Sequence, residues 1–163
     1  MRIEETTDAD LIHRLTQAAF AEYGREPGTS TALKETREAV EGQLADENRA
    51  LALFDAKKPV ACVRFRFEGD ALYFHRLSVD PAHRRKGYAS ALVGALEDCA
   101  RAAGLRRLTC SVRLAQADNL ALYFGLGFVQ TSVRSVCRDG TPVPTGDFEK
   151  DLSPVFGGRG EIK

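Results

Sequence analysis

Residues 71–98 read ALYFHRLSVDPAHRRKGYASALVGALED, and the order of elements in this stretch decides the fold. A strand-like run, Ala71–Asp80, ends at Pro81, which lacks the amide hydrogen that a β-ladder needs. A basic turn follows, Arg84-Arg85-Lys86-Gly87, and it opens into the clearest helix of the chain, from about Gly87 to Ala103. Ala89, Leu92, Val93, Leu96, Cys99, Ala100 and Ala103 recur there with helical spacing, as one apolar stripe, and Gly104 stops the helix. The first amides of a helix have no partner inside it, and the helix dipole adds partial positive charge at that end. Gly87 has no Cβ to keep an anion off the backbone. The turn is therefore suited to an anion. Spacing alone leaves open a solvated basic turn or a contact to a nucleic-acid phosphate. It excludes a Walker loop, because a second glycine and GK[ST] are both missing.

The strand ahead of the turn changes phase. Leu72 and Phe74 share one parity, Leu77 and Val79 the other. A period-two pattern that slips by one residue predicts a β-bulge near His75–Arg76, which would free backbone groups beside Leu77–Val79. The alternative is a regular strand with Tyr73, His75, Leu77 and Val79 on one face.

Around this centre, strand-like and helical segments alternate, as in a mixed α/β domain. Arg2–Glu5 reads as a strand. Thr7 with Asp10 resembles a capping box before a helix carrying Leu11, Leu15, Ala18 and Ala19. Tyr23–Thr29 reads as a loop, and Ala32–Leu44 as a helix with Leu33, Val40 and Leu44 inward. Leu51 and Leu53 mark a strand. In the next, Val63, Phe65 and Phe67 alternate with Arg64, Arg66 and Glu68, a half-buried pattern. Leu108, Cys110, Val112 and Leu114 mark another strand, and Asn119 to about Leu126 a short helix ending at Gly127. Val129–Val136 and Phe148–Leu152 read as closing strands around a proline-bearing loop, with a tail from Ser153.

With 163 residues, 44% of them hydrophobic, the chain is sized for one domain with a real core. Lys+Arg and Asp+Glu both total 23, so the net charge is zero and no global field draws the chain to nucleic acid or an anionic membrane. With 8% aromatics there is no stacking platform for RNA either. No basic segment leads into a long apolar run at the amino terminus, and no stretch approaches the roughly 20 apolar residues of a membrane span. Cys62, Cys99, Cys110 and Cys137 are scattered, and His13, His75 and His83 lack metal-ligand spacing. Reduced thiols, a cytoplasmic location and no metal are the expectations.

The segment VDPAHRRKGYASAL closely resembles the acetyl-CoA-binding motif of the GNAT N-acetyltransferases, Q/R-x-x-G-x-G/A, with Arg84, Gly87 and Ala89 in its fixed positions. Downstream, DNLALYFGLGF is similar to the family's second signature through Asn119, Tyr123, Gly127 and Phe128. Two motifs in order, roughly 30 residues apart and separated by a strand, are far more specific than either alone. The resemblance implies a three-layer α/β (α+β) domain over residues 1–152. Its mixed, mostly antiparallel twisted sheet would have six to seven strands, a bulged fourth strand and about four flanking helices. It also implies an acetyl-CoA-dependent N-acetyltransferase acting on a primary amine of a small molecule or protein, and allows a homodimer. By the same resemblance the backbone amides of Arg85, Lys86, Gly87, Tyr88, Ala89 and Ser90 would hold the coenzyme A diphosphate, with Arg84 also among the cofactor-binding residues. Leu77, Ser78 and Val79 would pair with the pantetheine arm, Tyr123 would also meet the cofactor, and Asn119 would either bond the cofactor or cap its own helix.

Tyr123 matches the family's general acid. For the base this sequence departs from the family: where related proteins often carry a glutamate, Leu72–Arg76 has no carboxylate, and Tyr73 lies nearest that position. His75 is a candidate catalytic base, Glu68 a weaker one, and a water chain with no dedicated base is an equal alternative. The missing glutamate also admits a second reading, a non-catalytic acyl-CoA-binding module. Phe20–Thr31 and Arg134–Asp147, which hold charges of both signs, would shape the acceptor site; Glu22 and Glu26 could favour a cationic amine.

Overall fold

Seven strands and four helices are found among the described residues, 1–23, 31–138 and 140–152, of the computed structural model. In chain order they are β1 (Arg2–Glu5), α1 (Ala9–Phe20), α2 (Arg37–Ala45), β2 (Arg49–Asp55), β3 (Lys58–Glu68), β4 (Ala71–Val79), α3 (Tyr88–Ala102), β5 (Arg107–Arg113), α4 (Ala117–Gly125), β6 (Val129–Arg138) and β7 (Thr141–Asp151). Single 3-10 turns lie at Ala21–Tyr23, Thr31–Lys34 and Pro81–His83. The strands form one sheet in the order β1-β2-β3-β4-β5-β7-β6. Every neighbouring pair is antiparallel except β4 and β5, which run parallel. This is the mixed, mostly antiparallel sheet that the sequence resemblance implied. The expected tail, 153–163, and most of the expected loop at Tyr23–Thr29 lie outside the described residues.

Strand alternation builds two apolar layers. Ala50, Ala52 and Cys62 pack against Ile12 and Leu15 of α1 and Val40 of α2. The opposite parity, Leu51, Leu53, Val63 and Phe65, joins Leu72 and Phe74 under Leu92, Val93 and Leu96 of α3. Each such large side chain contributes about 1.5–3 kcal/mol when fully buried.

The bulge in β4 is present. Glu68 to Arg64 lie opposite Ala71 to His75, and pairing resumes with Cys62 opposite Ser78 and Ala61 opposite Val79. Val63 thus faces two residues, Arg76 and Leu77, and Arg76 takes a left-handed conformation with φ 55. On its other edge β4 pairs with β5 only from Ala71 to Tyr73. Beyond that point the two parallel strands diverge.

Four expectations need correction. The cap of α1 is Asp8, whose side chain accepts from the Leu11 amide at 3.1 Å, rather than Thr7. The helix expected at Ala32–Leu44 is a 3-10 turn followed by α2, because Thr36 caps a new start through the Ala39 amide. The proline-bearing loop is a strand: Pro144 and Pro142 lie past the end of the β5–β7 register, where β7 keeps only its pairing with β6 and a missing N–H costs no ladder bond on the β5 side. Finally, β3 is not half exposed, and Arg64 is fully buried.

Arg64 is buried because α1 and α2 cover its face of the sheet. Its Nη1 and Nη2 donate to the two carboxylate oxygens of Glu35 at 2.9 and 2.8 Å, and Nη1 donates to Gln43 Oε1 at 2.9 Å. Burial raises the Glu35 pKa, but the bonds and charge of Arg64 outweigh it and hold this carboxyl below its ordinary range. Removing one partner strands the other charge in the core. Glu35→Gln is therefore predicted to destabilise the fold by roughly 3–5 kcal/mol in urea unfolding at neutral pH. Because the folded pKa of Glu35 is depressed, its contribution is present above the unfolded value of about 4.3 and lost as pH falls through the folded one. The variant should accordingly show a flatter loss of stability in acid than the parent.

Candidate active site

The turn before α3 leaves its main chain open. Arg85 and Gly87 both have positive φ, 64 and 81 degrees. Gly87 occupies the cap position without a side chain to spend on the helix, and a Cβ there would meet nothing within 4 Å. The first helical bond runs from the Ala91 amide to the Gly87 carbonyl at 3.0 Å. The amides of Arg85, Lys86, Gly87, Tyr88, Ala89 and Ser90 consequently have no acceptor among the described residues. They are concentrated at the positive end of a helix dipole, with the Arg85 and Lys86 side chains exposed beside them. This fits a diphosphate. The Tyr88 hydroxyl donates to Asp55 at the end of β2, which anchors the first turn of α3.

From this turn a cleft of about 980 Å³ runs between the diverging strands, a volume within the range of ligand sites. Of the residues expected to meet the cofactor, Leu77, Val79, Arg84, Arg85, Gly87, Tyr88, Ala89, Ser90, Asn119 and Tyr123 line it, as does His75. Lys86 is exposed and lies off the lining. Ser78 does as well: its side chain is buried, with Oγ donating to the Arg76 carbonyl at 2.9 Å. The position keeps its backbone on the bulged strand, but the side chain has no access to a ligand. Arg84 reaches away from the turn. It donates to the Ala19 carbonyl at 2.9 Å and pairs with Glu22, so it ties the turn to the end of α1. Asn119 does not cap α4, which begins two residues earlier, and its Nδ2 donates to Gln116 Oε1 at 2.8 Å.

Tyr123 stands at the inner end of the cleft. Gly127, with φ 92, lets the chain reverse after α4 so that the Phe128 amide reaches the Tyr123 carbonyl at 3.0 Å. The same reversal sets the Phe128 ring 5.5 Å from the Tyr123 ring, with Phe74 of β4 6.0 Å away on another side. The Gly-Phe pair thus buttresses the phenol. Burial, with Cys110 nearby, pushes the Tyr123 pKa well above the ordinary tyrosine value. Its hydroxyl has no hydrogen-bond partner among the described residues.

His75 lies in the same cleft on the α1–α2 side. Its ring stacks 5.7 Å from Tyr73, and Nε2 is 2.9 Å from Asn48 Oδ1, an acceptor, so Nε2 carries the proton. Burial, then the guanidiniums of Arg64, Arg76 and Arg66, lower its pKa to about 3. Sequence reading missed this cationic setting, since an arginine buried beneath a bulge looks in sequence like any exposed arginine of an alternating strand. It also did not single out Ser111, Arg113 and Gln116, which line the cleft from β5 and the turn before α4.

The sequence model of the acetyltransferase (GNAT) family matches residues 10–128. No curated protein sequence matches significantly. Among solved structures, the ribosomal-protein-S18-alanine N-acetyltransferase of Escherichia coli superposes with a TM-score of 0.77 at 20% identity, over 99% of this chain and 98% of that one. Aminoglycoside 6'-acetyltransferase type Ii gives 0.73 at 21% identity, over 95% and 99%. The PaiA N-acetyltransferase of Thermoplasma acidophilum, solved in complex with coenzyme A, gives 0.71 at 14% identity, over 93% and 99%. With the family's sequence model spanning residues 10–128 and solved acetyltransferases sharing the fold, this protein belongs to the GNAT acetyltransferases.

Proposed function

We propose that the protein transfers an acetyl group directly from acetyl-CoA to a primary amine, in a reducing, cytoplasmic setting. The observation that carries this reading is the run of unpartnered amides from Arg85 to Ser90 at the head of a cleft between two diverging strands. The diphosphate rests on those amides, with Arg85 and Lys86 adding charge from the rim. The pantetheine arm lies along the free edge of β4 at Leu77, Ser78 and Val79, where a main-chain amide faces the thioester oxygen as negative charge grows on it.

The amine attacks the thioester carbonyl itself. A covalent acyl-enzyme is disfavoured: burial pushes the Cys110 thiol, the cysteine on the cleft, up to about 12, and Cys62 up to about 11. Neither is a thiolate at neutral pH. As the C–S bond breaks, Tyr123 donates its phenolic proton to the departing sulfur. Its raised pKa keeps it protonated across the physiological range, the form an acid must have. The thiolate expelled beside it is desolvated by the same surroundings and is correspondingly more basic.

His75 is a poor base. A group with pKa about 3 cannot compete for the proton of an ammonium of pKa about 10.4. We assign proton removal to water in the open cleft and give His75 the role of a neutral hydrogen-bonding wall.

Three outcomes follow. Gly87→Asp should abolish coenzyme A binding in calorimetry, whereas Gly87→Asn, which tolerates the left-handed conformation and brings no charge, should lose far less; equal losses would point to strain alone. Tyr123→Phe should lower kcat roughly a hundredfold or more with little change in acetyl-CoA affinity, and an equal loss in both removes it as the acid. Because His75 is already neutral well below pH 6, kcat/KM should climb steadily with pH as the amine deprotonates. An inflection near about 6.5 that disappears in His75→Gln would restore the histidine as base.

A further inference from the structure

Beyond the amides at α3, the cleft carries a second group of cations. Arg76 from the bulge and Arg134 and Arg138 from β6 line its wall between the end of α1 and the β6–β7 hairpin. Arg134 is matched, with Nε 3.1 Å from Asp147 Oδ2. Arg138 is not: Nη1 donates to the neighbouring Cys137 carbonyl at 3.3 Å, and it has no carboxylate partner among the described residues. Arg76 is also short of acceptors. Its Nη2 donates to Thr31 Oγ1 at 2.9 Å, but its buried Nε–H has none. Glu35 Oε1 is 3.8 Å from that nitrogen, and both Glu35 oxygens already accept from Arg64.

Arg64 and Arg76 thus share the one carboxylate of Glu35, Arg134 has Asp147, and Arg138 has no carboxylate among the described residues. Burial lowers the proton affinity of Arg76, and Arg64 and Arg138 lower it further against the pull of Glu35. Of the two acids that line the cleft, Glu22 is engaged by Arg84, and Asp118 sits in the first turn of α4. The surplus charge is separate from the diphosphate site. Arg76 contacts Thr31 and Glu35 on the α1–α2 side of the sheet, whereas α3 packs on the other. Partly desolvated like charges without counter-ions are costly until an anion completes them. A guanidinium fork is shaped to take a carboxylate through two parallel bonds.

On the acetyltransferase reading given above, we infer that the acceptor is a small amine bearing a carboxylate, which Arg76 and Arg138 hold while its amine faces the thioester. A polycation would meet repulsion at the same place.

Thiol release and calorimetry on acetyl-CoA-saturated protein test this with matched amines: glycine against glycinamide, glutamate against its diamide, and spermidine. The carboxylates should be preferred by about tenfold or more in kcat/KM. Arg138→Met, at a partly exposed site, should raise their KM by about tenfold, as should Arg76→Met, with acetyl-CoA affinity unchanged. Turnover of spermidine or the amides in preference to the carboxylates overturns the inference alone. So does the absence of any carboxylate amine binding to the loaded protein. Failure to bind acetyl-CoA overturns the underlying reading, and the inference with it.

Discussion

Val63 faces two residues of β4, and this mismatch shapes everything beside it. The extra residue swings β4 away from β5 after Tyr73, so an edge in the middle of a seven-stranded sheet is left without a strand. A sheet interior normally spends its backbone groups on its neighbours. Here they remain for a ligand, and the open edge leads to the amides at the start of α3. Strand edge and helix end together form a polar track of main chain in a cleft whose wall includes Leu77, Val79, Phe74 and Tyr123. No side-chain identity is needed for most of that track, so the proposed site for an anionic cofactor calls for no excess of basic residues in a chain of zero net charge.

The bulge is underpinned from behind. Arg64 pairs with His75 in the ladder immediately before the slip, and its bonds to Glu35, Gln43 and Thr16 tie that point to α1 and α2. A buried ion pair adds little to stability against an apolar alternative, yet it fixes where the arginine can sit. The cost appears in the neighbours: His75 is stripped of its basicity, and Arg76 is left with an unmet donor. Both residues line the cleft. The group that orders the strand thus also sets the electrostatics against which an acceptor would bind.

Much of this was legible in sequence where one residue type has one physical use. The phase change between Phe74 and Leu77 announced the bulge, the Gly87 turn announced the open helix end, and Gly127 announced the end of the helix that carries Tyr123. Reading failed where a pattern has two causes. Alternation in β3 looked half exposed because Arg64 and Arg66 are the same letter, although helices cover one and not the other. Pro142 and Pro144 looked like a loop because nothing in the sequence shows that β5 ends before reaching them. Arg84 looked like one more charge of the basic turn, but its side chain is tied to the end of α1, which only the tertiary fold brings near.

Main-chain nitrogens at the head of α3, with the free edge of β4, are the proposed cofactor site. Amide chemical shifts of isotope-labelled protein titrated with coenzyme A measure this directly. The largest perturbations should fall on Arg85 to Ser90 and on Leu77 to Val79. Saturable binding that leaves those amides unmoved, or their continued indifference to excess coenzyme A, would contradict it.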